Sequence, residues 1–167
     1  MTTKQIEAFC SYLIKQAANN SAYLWGGQGE YIKKTTFGKV SSMETSDANV
    51  ARILRFIASK LDSGCDMSKA RFFDCSGLIV NWLLAKGIIA YDMTANDLYK
   101  LCEPVELTNL KKGDLTFKLA NGKAVHVGAC VDADKKEIVE SFGRDKGVIK
   151  KPLGYGSAWN AAGRLKL

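Results

Sequence analysis

Phe72-Phe73-Asp74-Cys75-Ser76-Gly77 runs two aromatics into a thiol, and a strongly periodic apolar segment follows at once. Leu78, Ile79, Trp82 and Leu83 recur at the i+3 and i+4 spacing of a buried helix face, and Gly87 supplies a stop. The pattern predicts a central helix with Cys75 in its first turn. Free N–H groups and the positive end of the helix dipole gather there, and both favour anionic sulfur. The stretch reads as the seat of a nucleophile.

The chain contains one histidine, His126, in Ala124-Val125-His126-Val127-Gly128-Ala129-Cys130-Val131. Alternation predicts a strand with Val125, Val127, Ala129 and Val131 on one face and His126, Gly128 and Cys130 on the other. An imidazole on a strand and a thiol at a helix start form the pair that nucleophilic cysteine chemistry requires. The ring takes the thiol proton and later returns it to the leaving amine.

Five short motifs come in order: Tyr23-Leu24-Trp25-Gly26-Gly27, Asp74-Cys75-Ser76-Gly77-Leu78, Gly113-Asp114-Leu115, His126-Val127-Gly128, and Ile138-Val139-Glu140-Ser141 followed by Gly147-Val148. In this order, from about Tyr23 to Val148, the sequence resembles the NlpC-type papain-like cell-wall peptidases. The resemblance implies Cys75 as nucleophile, His126 as base and a third polar residue on the next strand. Many members carry a second histidine there; the matching position here is Glu140. It also implies that the hydroxyl of Tyr23 lies near the nucleophile; the alternative is a core tyrosine beside a turn. Asp74 and Ser76 are candidates for binding the substrate's free amine or carboxylate, or for capping the Cys75 helix. The implied fold is α+β and papain-like, N-terminal helices and the nucleophile helix packed on an antiparallel β-meander or small barrel.

A chain of 167 residues is the size of one ordinary domain. Residues 1–167 are therefore expected to form a single catalytic domain of this kind, with 31–71 as an insert. The 47% hydrophobic fraction and two prolines fit a folded globule. Met1-Thr2-Thr3-Lys4-Gln5-Ile6-Glu7 lacks a basic region followed by an apolar one, and no stretch is long enough to cross a membrane. The expectation is synthesis in the cytoplasm without a signal peptide, no membrane partner, and access to the wall by a separate route, as for a phage lysin.

Five cysteines, Cys10, Cys65, Cys75, Cys102 and Cys130, form no Cys-x-x-Cys pair. With one histidine the chain offers no zinc-ligand spacing, so no metal or other cofactor is expected. Net charge is +7, and from Lys111 onward twelve Lys and Arg stand against six Asp and Glu. Such a surface draws a protein toward polyanions, among which anionic wall polymers fit the family resemblance and nucleic acid is not expected. An ordinary lysine-rich surface explains the charge equally well.

Thr2 and Gln5 are spaced as a capping box before a helix over 4–18, with Ile6, Phe9, Cys10, Leu13, Ile14 and Ala17 as its stripe. Residues 33–45 show no period and read as loop. Ser46 or Asp47 then caps one extra helix through Val50, Ile53, Leu54, Ile57 and Leu61. Thr94 and Asp97 cap a short helix through Leu98, Leu101 and Cys102, ended by Pro104. From Gly113 the period becomes two, with Asn121-Gly122 as a hairpin turn. If the strands ending at Val131 and starting at Glu137 pair antiparallel, an even index sum puts Glu140 on the face of His126; an odd sum brings Val139 or Ser141 across from it. Glu140 then either orients the imidazole or is a half-exposed carboxylate paired with a lysine.

By resemblance, the substrate is the peptide stem of peptidoglycan, cut between D-glutamate and a diamino acid. The residues themselves support amide hydrolysis by a Cys-His pair. Alternatives are a cysteine- and histidine-dependent N-acetylmuramoyl-L-alanine amidase, and a non-catalytic wall-binding or phage structural domain.

Overall fold

The computed structural model describes residues 1–166; the domain expected over 1–167 ends on Leu167, which lies outside them. Helix α1 (Thr3–Ala18) opens with the expected capping box, Thr2 and Gln5 each accepting from the other's backbone N–H. Phe9, Cys10 and Leu13 are buried, whereas Ile14 is 40% exposed.

Three short strands, β1 (Ala22–Tyr23), β2 (Gln28–Tyr31) and β3 (Arg71–Phe73), form a small sheet in the order β1-β3-β2. β3 separates two cores. Phe72 packs with Ala22, Leu24, Val40 and Ile53, while Phe73 faces the main core of α1, the central helix and the large sheet. Neighbouring strand residues point to opposite faces, so one three-residue strand joins both cores.

The insert corrects two expectations. Phe37–Met43 forms helix α2 inside the segment read as loop, under a Thr36 cap, so the insert holds two helices. With one buried residue, Val40, so short a helix shows no apolar repeat. Helix α3 (Asp47–Asp62) follows its Ser46 cap and buries Val50, Ile53 and Phe56; Leu54 and Leu61 face outward.

Helix α4 (Gly77–Ala85) is buried on every side through Leu78, Ile79, Val80, Trp82 and Leu83. Gly87, at φ +63°, turns the chain away while Ile88 N–H donates to Leu83 O. Helix α5 (Ala95–Lys100) carries the Thr94/Asp97 capping box. Cys102 does not extend it but opens β4 (Cys102–Val105), an edge strand that tolerates Pro104.

β5 (Leu115–Ala120), β6 (Lys123–Asp132), β7 (Glu137–Gly143), β8 (Gly147–Pro152) and β9 (Ala161–Leu165) join β4 in an antiparallel sheet of order β4-β9-β5-β6-β7-β8. Asn121 and Gly122 make the predicted turn with φ +50° and +74°. A bulge opposite Lys118 and Leu119 turns Val125 outward and Ala124 inward, so the predicted alternation holds only from Val127 onward.

Candidate active site

Asp74 builds the start of the central helix. Its Oδ1 accepts from Gly77 N–H at 2.6 Å and from the Ser76 hydroxyl at 3.2 Å, its Oδ2 from Gly26 N–H at 3.1 Å, and its carbonyl from Leu78 N–H at 3.3 Å. The turn thus reaches back to Asp74, and half-buried Cys75 occupies its first position. Burial pushes the Asp74 carboxyl above its ordinary value against these hydrogen bonds. Asp74 therefore caps the helix and ties the glycine loop to it, while Ser76 makes no side-chain cap bond and instead donates its hydroxyl to the Asp74 carboxylate.

β6 and β7 pair Ala129 with Val139 and Cys130 with Ile138, the even register. Continued by one residue it sets Glu140 opposite Gly128, diagonal to His126. His126 Nε2 bonds to Glu140 Oε2. With Nε2 engaged, Nδ1 is the ring nitrogen left for the sulfur, and Cys75 lies near enough to act on the imidazole. Burial disfavours the imidazolium, but Cys75 and the bonded carboxylate of Glu140 outweigh it and raise the His126 pKa to about 9. A Cβ at Gly128 would lie 3.0 Å from the Trp159 ring and 3.2 Å from Glu140 Cβ, so only glycine leaves this carboxylate its place. Beside the ring a depression is lined by Lys118, Val125, His126, Phe142, Gly156 and Ser157.

Glu140 is fully buried rather than half-exposed, and it serves both alternatives at once. Lys151 Nζ lies 2.6 Å from its Oε1, and the Ser157 hydroxyl donates to the same carboxylate at 2.9 Å. Burial raises the Glu140 pKa, but His126 and Lys151 prevail and hold it below its ordinary value. Trp159 stacks on His126 with centroids 5.5 Å apart and planes at 15°. Sequence reasoning missed Lys151, Ser157 and Trp159. The one available signal was β8 itself: pairing Glu140 with Ile149 puts Lys151 on the same face two residues on.

Tyr23 lies buried on β1 beneath Arg144, whose guanidinium carbon is 5.0 Å from the ring centroid. Burial, then the charge of Cys75, pushes its phenol upward. Arg144 is held in turn by Glu44, with Nη2 2.7 Å from Oε2, and Glu44 Oε1 accepts from Trp25 N–H at 3.1 Å. The residue ending α2 thereby anchors the glycine loop, so the insert reaches the cleft. All five cysteines are free thiols; burial pushes Cys10 and Cys130 up to about 11 and Cys102 up to about 12.

A thiol opening a buried helix, an imidazole on the adjoining antiparallel sheet and a carboxylate behind the ring make the layout of a papain-like α+β domain. The chain belongs to the NlpC/P60 family, whose model matches residues 63–161. That span contains Cys75, His126, Glu140 and Lys151, while Tyr23 and Glu44 precede it. Among solved structures, the chain is similar to the peptidoglycan hydrolase RipB of Mycobacterium tuberculosis, at 17% identity and a TM-score of 0.59 over 100% of this chain and 70% of that one. It is also similar to the P60 domain of an antigen from M. avium subspecies paratuberculosis, at 18% and 0.53 over 95% and 96%. NlpC2 of Trichomonas vaginalis aligns at 14% and 0.60 over 99% of this chain and 48% of that one. At these identities the likeness is one of fold. No curated protein matches the chain.

Proposed function

We propose that this protein is a cysteine peptidase that hydrolyses an amide bond in the peptide stem of bacterial peptidoglycan, between D-glutamate and a diamino acid. One observation carries the reading: the His126 imidazole is bonded to the buried carboxylate of Glu140 on one side and feels Cys75 strongly enough to raise its pKa on the other. The substrate class rests on family membership and on the likeness to RipB, described as a peptidoglycan hydrolase.

In this reading the Cys75 thiol gives its proton to His126 and the sulfur attacks the amide carbon. The Cys75 backbone N–H and the Tyr23 hydroxyl meet the oxyanion. The imidazolium protonates the departing amine, leaving a thioester. His126 then draws a proton from water, which cleaves the thioester and restores the thiol. Glu140 holds the ring in one orientation and stabilises its charged form.

The test is digestion of purified peptidoglycan of several chemotypes, with mass spectrometry of the released fragments. Wild type should release stem fragments that begin at the diamino acid, leaving D-glutamate at the end of the sugar-bound stub, and Cys75→Ala none. Stems freed whole from the sugar would reassign the bond to an N-acetylmuramoyl-L-alanine amidase. Identical products from wild type and Cys75→Ala would overturn the hydrolase reading.

A further inference from the structure

We propose that Lys151 is a positioning residue of this site: acting through Glu140, it keeps that carboxylate ionised and commits one of its oxygens, so that only the other serves His126. The inference rests on the Cys75–His126 reading above and deepens it.

The side chain of Lys151 is 3% exposed and that of Glu140 fully buried. An ammonium has three N–H donors, and all three are used, by Glu140 Oε1 at 2.6 Å, by Ser157 Oγ at 3.0 Å and by the carbonyl of Tyr155. The rings of Phe142, Tyr155 and Trp159 surround it, with centroids 4.8, 5.6 and 5.8 Å away. The Ser157 hydroxyl also reaches both Glu140 oxygens, at 2.9 and 3.0 Å. The carboxylate cannot rotate without breaking a bond to a group that is itself fixed.

A buried ion pair adds little net stability over apolar side chains of the same shape, and this aromatic cage would accept a methionine. What methionine could not supply is charge. Along Cys75, His126, Glu140 and Lys151 the signs alternate when the thiolate–imidazolium pair forms, each charge supporting its neighbour. The titratable groups around Glu140 are His126 from β6, Lys151 from β8, Cys75 beyond the ring and Tyr155 after β8. Lys146 lies past the Tyr155 ring, 5.1 Å from its centroid.

The experiment is carboxamidomethylation of Cys75 by iodoacetamide, followed by mass spectrometry on the full chain between about pH 5 and about pH 8, a readout that needs no substrate. Without Lys151 the Glu140 carboxyl takes up a proton at higher pH and the imidazolium loses its support. In Lys151→Met the acid limb of Cys75 labelling should move up by about one pH unit, a tenfold loss on the limb, with little change at about pH 8. Lys151→Arg should restore the limb. On a Glu140→Gln background, Lys151→Met should move nothing. Should Lys151→Met fail to fold, Lys151→Gln, which keeps a donor without the charge, carries the same expectation. An unmoved limb, an equal loss at every pH, or a shift that persists on the Glu140→Gln background would overturn the proposal. Wild-type Cys75 reacting no faster than half-buried Cys65 would instead sink the nucleophile reading itself, a result distinct from fast labelling with an unmoved limb.

Discussion

Gly77 enters α4 with its Cα against the carbonyl oxygen of Gly27, so close that a Cβ at 77 would lie 2.1 Å from that oxygen. The same carbonyl accepts from Asp74 N–H at 3.0 Å and cannot retreat without loosening the turn that seats Cys75. Gly77→Ala should therefore destabilise the protein by about 3 kcal/mol, lowering Tm by roughly 6–12 °C for a chain of this size. Gly38, inside α2 with nothing within 4 Å of its built Cβ, is the control. Gly38→Ala should stabilise by about 0.5–1 kcal/mol. Calorimetry decides between them, and a Gly77→Ala protein that melts with wild type would refute the close approach.

His126 is the chain's one histidine, so its Cε1 proton gives a single histidine resonance to follow in protein without a histidine tag. Burial works against the imidazolium, yet Cys75 and Glu140 lift the pKa from 6.5 to about 9. A pKa raised on folding contributes stability that is fully present below about 6.5 and is lost as pH rises through about 9. The NMR midpoint should fall near 9 and drop in both Glu140→Gln and Cys75→Ala, and wild-type Tm should decline across that window. A midpoint at or below 6.5 would mean that burial prevails over the partners.

The helix after Cys75, the two capping boxes, the Asn121-Gly122 hairpin and the shared face of His126 and Glu140 were legible because each follows from spacing within a few residues or from register parity. β1, β2 and β3 were not, since two to four residues show no period. Glu44 and Arg144 stand 100 positions apart, and no local pattern announces a contact of that range. Lys151 was hidden for another reason. Lysine reads as surface by composition, and only the pairing of β7 with β8 turns it inward behind Glu140.

Tyr23 offers a test of the oxyanion assignment that leaves the fold alone. Its ring is packed on β1 under Arg144, so Tyr23→Phe keeps the packing and removes only the hydroxyl. If that hydroxyl meets the oxyanion, kcat for peptidoglycan cleavage should fall about a hundredfold, while KM and Tm stay near wild type. Undiminished kcat would leave the backbone N–H of Cys75 as the oxyanion donor and make Tyr23 a core residue.

The Glu44–Arg144 pair makes the insert part of the cleft, and breaking it from either side should not be symmetric. The Glu44 side chain is fully buried, whereas Arg144 retains 16% exposure. Arg144→Met strands a buried carboxylate and should destabilise by about 3–5 kcal/mol. Glu44→Gln with Arg144→Met removes both charges and should recover most of that loss, a coupling that a double-mutant cycle measures directly. Acid denaturation supplies the sign. Burial raises the Glu44 pKa, but Arg144 and Trp25 N–H prevail and hold it below 4.5. A depressed carboxyl contributes stability present above its unfolded value and lost as pH falls below it. Wild type should therefore lose more stability than the double variant on acidification below about pH 4.5, and equal losses would mean that the pair carries no net charge coupling to the fold.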